Sequence, residues 1–294
     1  MRLVVSCAAL LGAACRRSGA PAVVAVSIEP VADIVARVAG TDADVRRFPS
    51  RRLASEPNPA LSGVTLAVRV GVGLDDWLEI AARGANPKVR SFAVADRVPT
   101  RAFSLPARAA GGAGDPHEDP ARLDPYVWLD PRNMRLAAKA IGEELARVDA
   151  AHAGAYRFRA GEVDEALGAF DADTEGRLGA CAPPPLVTDL PTLGYFAERY
   201  RIPIVAVLRP FGTAPTPSWL EGLVRGVAGI PRAVVVVTSA EVPEEARALG
   251  RPILHVPVLE RPVEVAVGAL VDALCPAGTA REVANPPVPG NTRR

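Results

Sequence analysis

Between Tyr156 and Leu178 the residues suited to burial return every three, four or seven positions, with Val163, Leu167, Phe170 and Thr174 between them. That spacing predicts one continuous helix of about 25 residues, roughly 38 Å long at 1.5 Å per residue. Gly161 and Gly168 each weaken it by up to about 1 kcal/mol relative to alanine, so its stability has to come from packing. The sequence "CAPPP" at 181–185 breaks it. A helix of this length reads as a rod joining what lies on either side of it.

On both sides of the rod, strand and helix patterns alternate. "VVAVSI" from Val23 precedes "VADIVARVAG", which sets Val31, Ile34, Val35 and Val38 on one helical face and stops at Gly40. "DVRRFP" and "TLAVRV" read as the second and third strands. "LDDWLEIAARG" reads as a helix with Asp75 and Asp76 near its positive end, and "VRSFAVA" as the fourth strand. Asp130 is placed to cap a further helix with Pro131 in its first turn, its stripe running Met134, Ala138, Ile141, Leu145 and Val148. Past "CAPPP", the runs "LVT", "IPIVAVL", "AVVVVTS" and "PILHVPVL" are each followed by a helical pattern. Alternation of this kind implies parallel sheets covered on both faces. The expected class is α/β, with two parallel-sheet α/β lobes joined by one long linking helix and a cleft between the lobes. The expected boundaries are a leader at 1–20, an N-terminal lobe at 21–150, the linking helix at 151–180, a C-terminal lobe at 181–276 and a disordered tail at 277–294. The Gly-, Ala- and Pro-rich stretch 108–125 has no apolar period and reads as a mobile loop.

Charge and motif content narrow the function. A formal net charge of +1 leaves no basic excess for nucleic acid. "GVGLDDW" lacks the third glycine of a dinucleotide loop, and neither a Walker loop nor a Gly-x-Ser-x-Gly elbow occurs. The three histidines, His117, His152 and His255, form no His-x-x-x-His pair, and no Cys-x-x-Cys is present. His117 sits in the acidic "DPHEDP", a possible loop contact for a metal or simply an exposed acidic loop. His152 reads as a surface residue, and His255, inside an apolar strand, as a core histidine. Glu56, Asp189 and Glu241 stand near strand ends or loops, where cleft residues occur, but each reads first as a cap or a surface charge. No enzyme class is indicated; a binding protein needs only a shaped cleft.

The N-terminal run "LVVSCAALLGAA" between Arg2 and Cys15 has the length of a signal h-region and is too short to cross a bilayer. Cys15 then reads as a lipidation site, although Leu11 and Gly12 depart from the usual spacing; cleaved soluble export and a misassigned start are the alternatives. Cys7 and Cys15 belong to the leader. Cys181 and Cys275 remain, either as a disulfide in an oxidising compartment or as two buried thiols. A bridge would close about ninety residues, worth about 4 kcal/mol on the chain-entropy view.

"DPYVWLDPRN" at 124–133 resembles the Asp-Pro-His-Val-Trp-Leu-Asp-Pro motif of the zinc- and manganese-type solute-binding proteins of ABC importers. "SEPNPA", "VGVGLDDWL" and "GYFAERYRIPIVAV" are similar to further motifs of that family, in the same order. The resemblance implies a periplasmic or cell-surface binding protein, lipid-anchored to the membrane. It also implies an ABC-importer permease as partner and a metal ion or small solute as ligand. Zinc or manganese is implied by the resemblance alone. The family's ligands are three histidines and a carboxylate or close variants, and here those positions fall on Leu53, Tyr126, Leu190 and Val256 or Pro257. Glu56, Asp189 and His255 lie beside them. Zinc takes four N, S or O donors; leucine offers none, and a neutral phenol is a poor substitute. The expectation is a binding-protein frame whose usual metal site is lost or altered, or a scaffold turned to an organic solute or to docking.

Overall fold

The computed structural model describes residues 21–49, 58–103, 123–210, 214–258 and 260–276. Among these residues eight strands form two four-stranded sheets of the same order. β1 (Ala22–Val26), β2 (Ala43–Arg47), β3 (Leu66–Arg69) and β4 (Arg90–Ala93) align as β2-β1-β3-β4, all parallel. β5 (Leu186–Thr188), β6 (Ile204–Val207), β7 (Val234–Val237) and β8 (Ile253–His255) align as β6-β5-β7-β8, again all parallel. The inner strands β1 and β7 are apolar throughout, whereas edge strand β2 carries Asp44, Arg46 and Arg47, which suit an edge open to water. Helices α1 (Glu29–Ala39), α2 (Trp77–Ala85), α3 (Pro131–Val148) and α4 (Ala153–Cys181) accompany the first sheet. The second is accompanied by α5 (Gly194–Arg199), α6 (Pro217–Ala228), α7 (Glu244–Ala248) and α8 (Val263–Leu274).

Period-two alternation sorts the core into three apolar clusters. Val24 and Val26 of β1 face a large cluster shared by both lobes, while Ala25 faces a smaller one beneath α2 with Phe48 and Leu78. In the second sheet Val236 joins the shared cluster, and Val235 and Val237 pack toward Leu223 of α6 and Ala246 of α7. The shared cluster gathers α1, α3, α4, α5 and α8, so the lobes rest on one continuous apolar body.

The expected rod is present as α4, 29 residues long. Its buried positions are Tyr156, Ala160, Val163, Leu167, Asp171, Thr174 and Leu178, a single stripe. Asp171 takes a place in that stripe and Phe170 flanks it half-buried, because Arg199 and Tyr200 meet the carboxylate. Arg199 donates to it from Nε at 2.9 Å and Nη2 at 2.8 Å, and the Tyr200 hydroxyl donates at 2.9 Å. At its end Cys181 is bonded to Cys275, directly after α8, with 5.7 Å between the Cα atoms. Arg37 of α1 and Glu264 of α8 add a 2.7 Å ion pair between the lobes.

The close α3–α4 approach passes over Gly142. A Cβ there would lie 2.9 Å from the Ala160 Cβ and 3.3 Å from the Tyr156 carbonyl. Glycine-to-alanine changes inside helices ordinarily stabilise by up to about 1 kcal/mol. Gly142→Ala is expected to reverse that sign and destabilise by about 1–3 kcal/mol, read from urea unfolding.

Candidate functional site

In open parallel sheets ligands bind beyond the carboxyl ends of the strands, where the strand order reverses. Here that point falls between β1 and β3 in one lobe and between β5 and β7 in the other. Each is closed by a buried aspartate. Asp75 turns inward, accepts the Ser27 hydroxyl and takes the Val70 and Gly71 amides at 2.8 Å each. Its carboxyl pKa is raised because burial outweighs these bonds. The helix-end charge expected at Asp75 is therefore a lock between β1 and β3; only Asp76 stands at the α2 terminus. Gly71 takes φ +88°, and a Cβ there would meet Ala93 and Arg69 at 3.0 Å.

Asp189 mirrors this lock across β5 and β7. One oxygen accepts the Thr238 amide at 2.8 Å and hydroxyl at 3.0 Å; the other accepts the Ser239 amide at 3.0 Å and hydroxyl at 2.5 Å. Thr192 meets the Thr238 hydroxyl at 2.8 Å, extending the chain of donors. The carboxylate is fully buried and its four lone-pair directions are occupied. It is neither a helix cap nor a surface charge, and a cation using it has to displace a donor.

The Asp-Pro frame forms the third wall. Asp124 is fully buried, accepting the Tyr126 amide at 2.9 Å and Arg101 at 3.0 Å. Burial pushes its carboxyl up to about 6 against the pull of the Tyr126 amide and Arg101. The Tyr126 ring is half-buried and lies edge-on to Trp128 at 5.3 Å and Phe103 at 6.4 Å. Asp130 accepts the Arg132 amide at 2.9 Å and starts α3, as its Asp-Pro pair predicts. Arg101 also bonds Glu198 at 2.9 Å, and the Tyr195 hydroxyl accepts the Arg101 amide and donates to the Asp124 carbonyl. Burial raises the Tyr195 phenol to about 12, keeping it a neutral bridge. A Cβ on Gly194 would collide with the Arg101 guanidinium, which explains glycine at the start of α5.

Of the other expected positions, Leu190 is half-buried beside Asp189, Val256 is buried and Pro257 half-buried. His255 ends β8 exposed, with Nε2 3.0 Å from the Ser239 carbonyl, and not in the core, because three residues of strand leave it at the sheet's rim. His152 is half-buried, its Nδ1 2.7 Å from Asp149. Glu241 is exposed. Leu53, Glu56, His117 and Cys15 lie outside the described residues, as does most of the stretch read as a loop. Among the described residues no three His, Cys, Asp or Glu side chains converge as a metal site. Ser27, Arg101, Tyr195, Thr238 and Ser239 were not visible as site residues in the sequence, since their partners are distant in the chain.

Two α/β lobes of identical strand order, joined by one helix and locked at both switch points, define a two-lobed solute-binding fold. The family model of ZnuA, the periplasmic component A of a zinc-uptake complex, matches residues 24–263, and the chain belongs to that family. A crystal structure of ZnuA superposes with a TM-score of 0.73 at 19% identity, covering 87% of this chain and 98% of that one. FpvC from Pseudomonas aeruginosa in complex with Ni2+ gives a TM-score of 0.68 at 19% identity, with 86% and 97% covered. A mutant of the laminin-binding adhesin Lmb from Streptococcus agalactiae gives 0.68 at 18%, with 85% and 98% covered. At such identities these structures share the fold. No curated protein matches the chain. Among the described residues no helix is long and apolar enough to cross a membrane.

The Asp124 environment sets a pH dependence. Its native carboxyl titrates above the ordinary Asp value of 3.8, at about 6. The native state therefore holds this proton more tightly, and the stability it contributes is complete below pH ~4 and lost as pH rises through ~6. Arg101 and Glu198 are the charged groups facing it. Asp124→Asn is expected to flatten the fall in unfolding free energy between pH 4 and 6, measured by urea titration at stepped pH.

Proposed function

We propose that the chain is the extracytoplasmic solute-binding component of a zinc- or manganese-type ABC importer. In this reading it is lipid-anchored through Cys15, delivers to a membrane permease and acts by binding, not catalysis. The family match over residues 24–263 carries the proposal. The usual three-histidine, one-carboxylate set is altered, with Tyr126 and Leu190 at two of its positions, and the divalent cation is held weakly. The saturated carboxylate of Asp189 supports weak binding, because no direction on it remains open for a cation. A cleft wall of phenol and hydrocarbon also raises the cost of bringing an ion out of water.

A second reading is a scaffold that takes an organic solute in place of a metal. It is favoured by the aromatic run Phe103–Tyr126–Trp128, which offers apolar area where a metal protein presents imidazole.

A ligand selective for the native state raises the melting temperature according to its free concentration relative to Kd. Zinc or manganese titrated into the purified chain is expected to raise it only above roughly 10 µM free metal. No rise at millimolar metal would overturn the metal reading in favour of the organic solute, and saturation at nanomolar metal would overturn the altered site.

A further inference from the structure

A cavity of about 540 Å³ opens beside α5 and edge strand β6, lined by Arg101, Phe103, Gly194, Glu198, Arg201 and Ile204 among others. It adjoins Tyr126 through the Phe103 ring and Leu190 through Pro191. Its volume falls in the range of small-molecule sites, which pair apolar walls with a few placed polar groups. Phe103, Ile202, Ile204 and Val207 supply the apolar wall.

The two arginines on the lining are not equivalent. Arg101 is held by Asp124 and Glu198, so its charge is already compensated. Arg201 is exposed and makes no ion pair or side-chain hydrogen bond among the described residues. Its backbone adds a second, independent observation. The Arg201 amide bonds the Glu198 carbonyl at 3.4 Å and the Ile202 amide bonds the Ala197 carbonyl at 2.9 Å. This pattern ends a helix with a left-handed residue, where glycine is the usual occupant. Arg201 holds that place at φ +56°, so a long cation stands on the cavity lining at a position glycine would fill with less strain.

We propose that this cavity is a binding site for a small organic carboxylate with an apolar or aromatic body. Arg201 takes the carboxylate, and Phe103, Ile204 and Val207 cover the apolar part. Arg101, fixed by its two acids, shapes the inner end. This inference rests on the solute-binding reading above and names the chemistry of a solute for that fold.

The probe is 3-phenylpropionate, with its neutral amide as control, titrated calorimetrically into the full chain. The acid is expected to bind at least about tenfold tighter than the amide, the scale of a charge-assisted hydrogen bond. Arg201→Gly is expected to erase that preference while leaving the melting temperature unchanged or higher, since glycine relieves the left-handed backbone. Arg201→Lys is expected to retain part of it. Equal affinity for acid and amide, undiminished binding in Arg201→Gly, or no binding at millimolar probe would each overturn the proposal. A metal-induced rise in melting temperature that persists in Arg201→Gly while the probe fails would leave the metal-importer reading standing and remove only this site.

Discussion

The architecture depends on how α4 is held at both ends. Its single buried stripe packs against α1 and α3 in the first lobe, and its last turns reach α5 and α8 in the second. Three different interactions fix the second attachment: the Asp171–Arg199–Tyr200 cluster, the apolar contact through Leu178, and the Cys181–Cys275 bond. A helix fastened in this way transmits rigid geometry, because twisting one lobe against the other requires breaking the buried Asp171–Arg199 ion pair and repacking a shared core. The Arg37–Glu264 pair acts across the same junction. The space between the strand ends is therefore set by the rod.

Within that frame the two lobes solve one problem twice. A parallel sheet whose order reverses leaves a gap between the ends of its two central strands, with backbone amides pointing into it. Asp75 fills the gap with the Ser27 hydroxyl and two amides, and Asp189 with two amides and two hydroxyls. Buried carboxylates are costly unless hydrogen-bonded, and Asp75 accepts three hydrogen bonds and Asp189 four. Each ties the ends of its two central strands together. Tyr126 is held in the same manner. Asp124 fixes its backbone, and its ring is braced by Trp128 and Phe103.

Much of this was legible in the residues and some was not. The eight strands, the order of helices and the long rod follow from periodicity, since apolar spacing is a local property. Asp130 with Pro131 marked a helix start correctly because a cap bonds two residues away. The locks escaped notice because their partners are far apart in the chain: Ser27 and Asp75 are separated by 48 positions, and Asp189 and Ser239 by 50. Asp75 therefore read as a charge at a helix end and Asp189 as a cap or surface acid. Only the strand order brings those pairs together. His255 misled for a different reason. Its neighbours are apolar, but β8 is a three-residue edge strand, so its last side chain reaches the surface.

The central proposal is that this family member keeps the family's cleft without the donor set that grips zinc tightly. Elemental analysis of the chain purified without chelator tests it most directly. The account predicts zinc and manganese well below one equivalent after gel filtration. One equivalent of zinc surviving that step would contradict it.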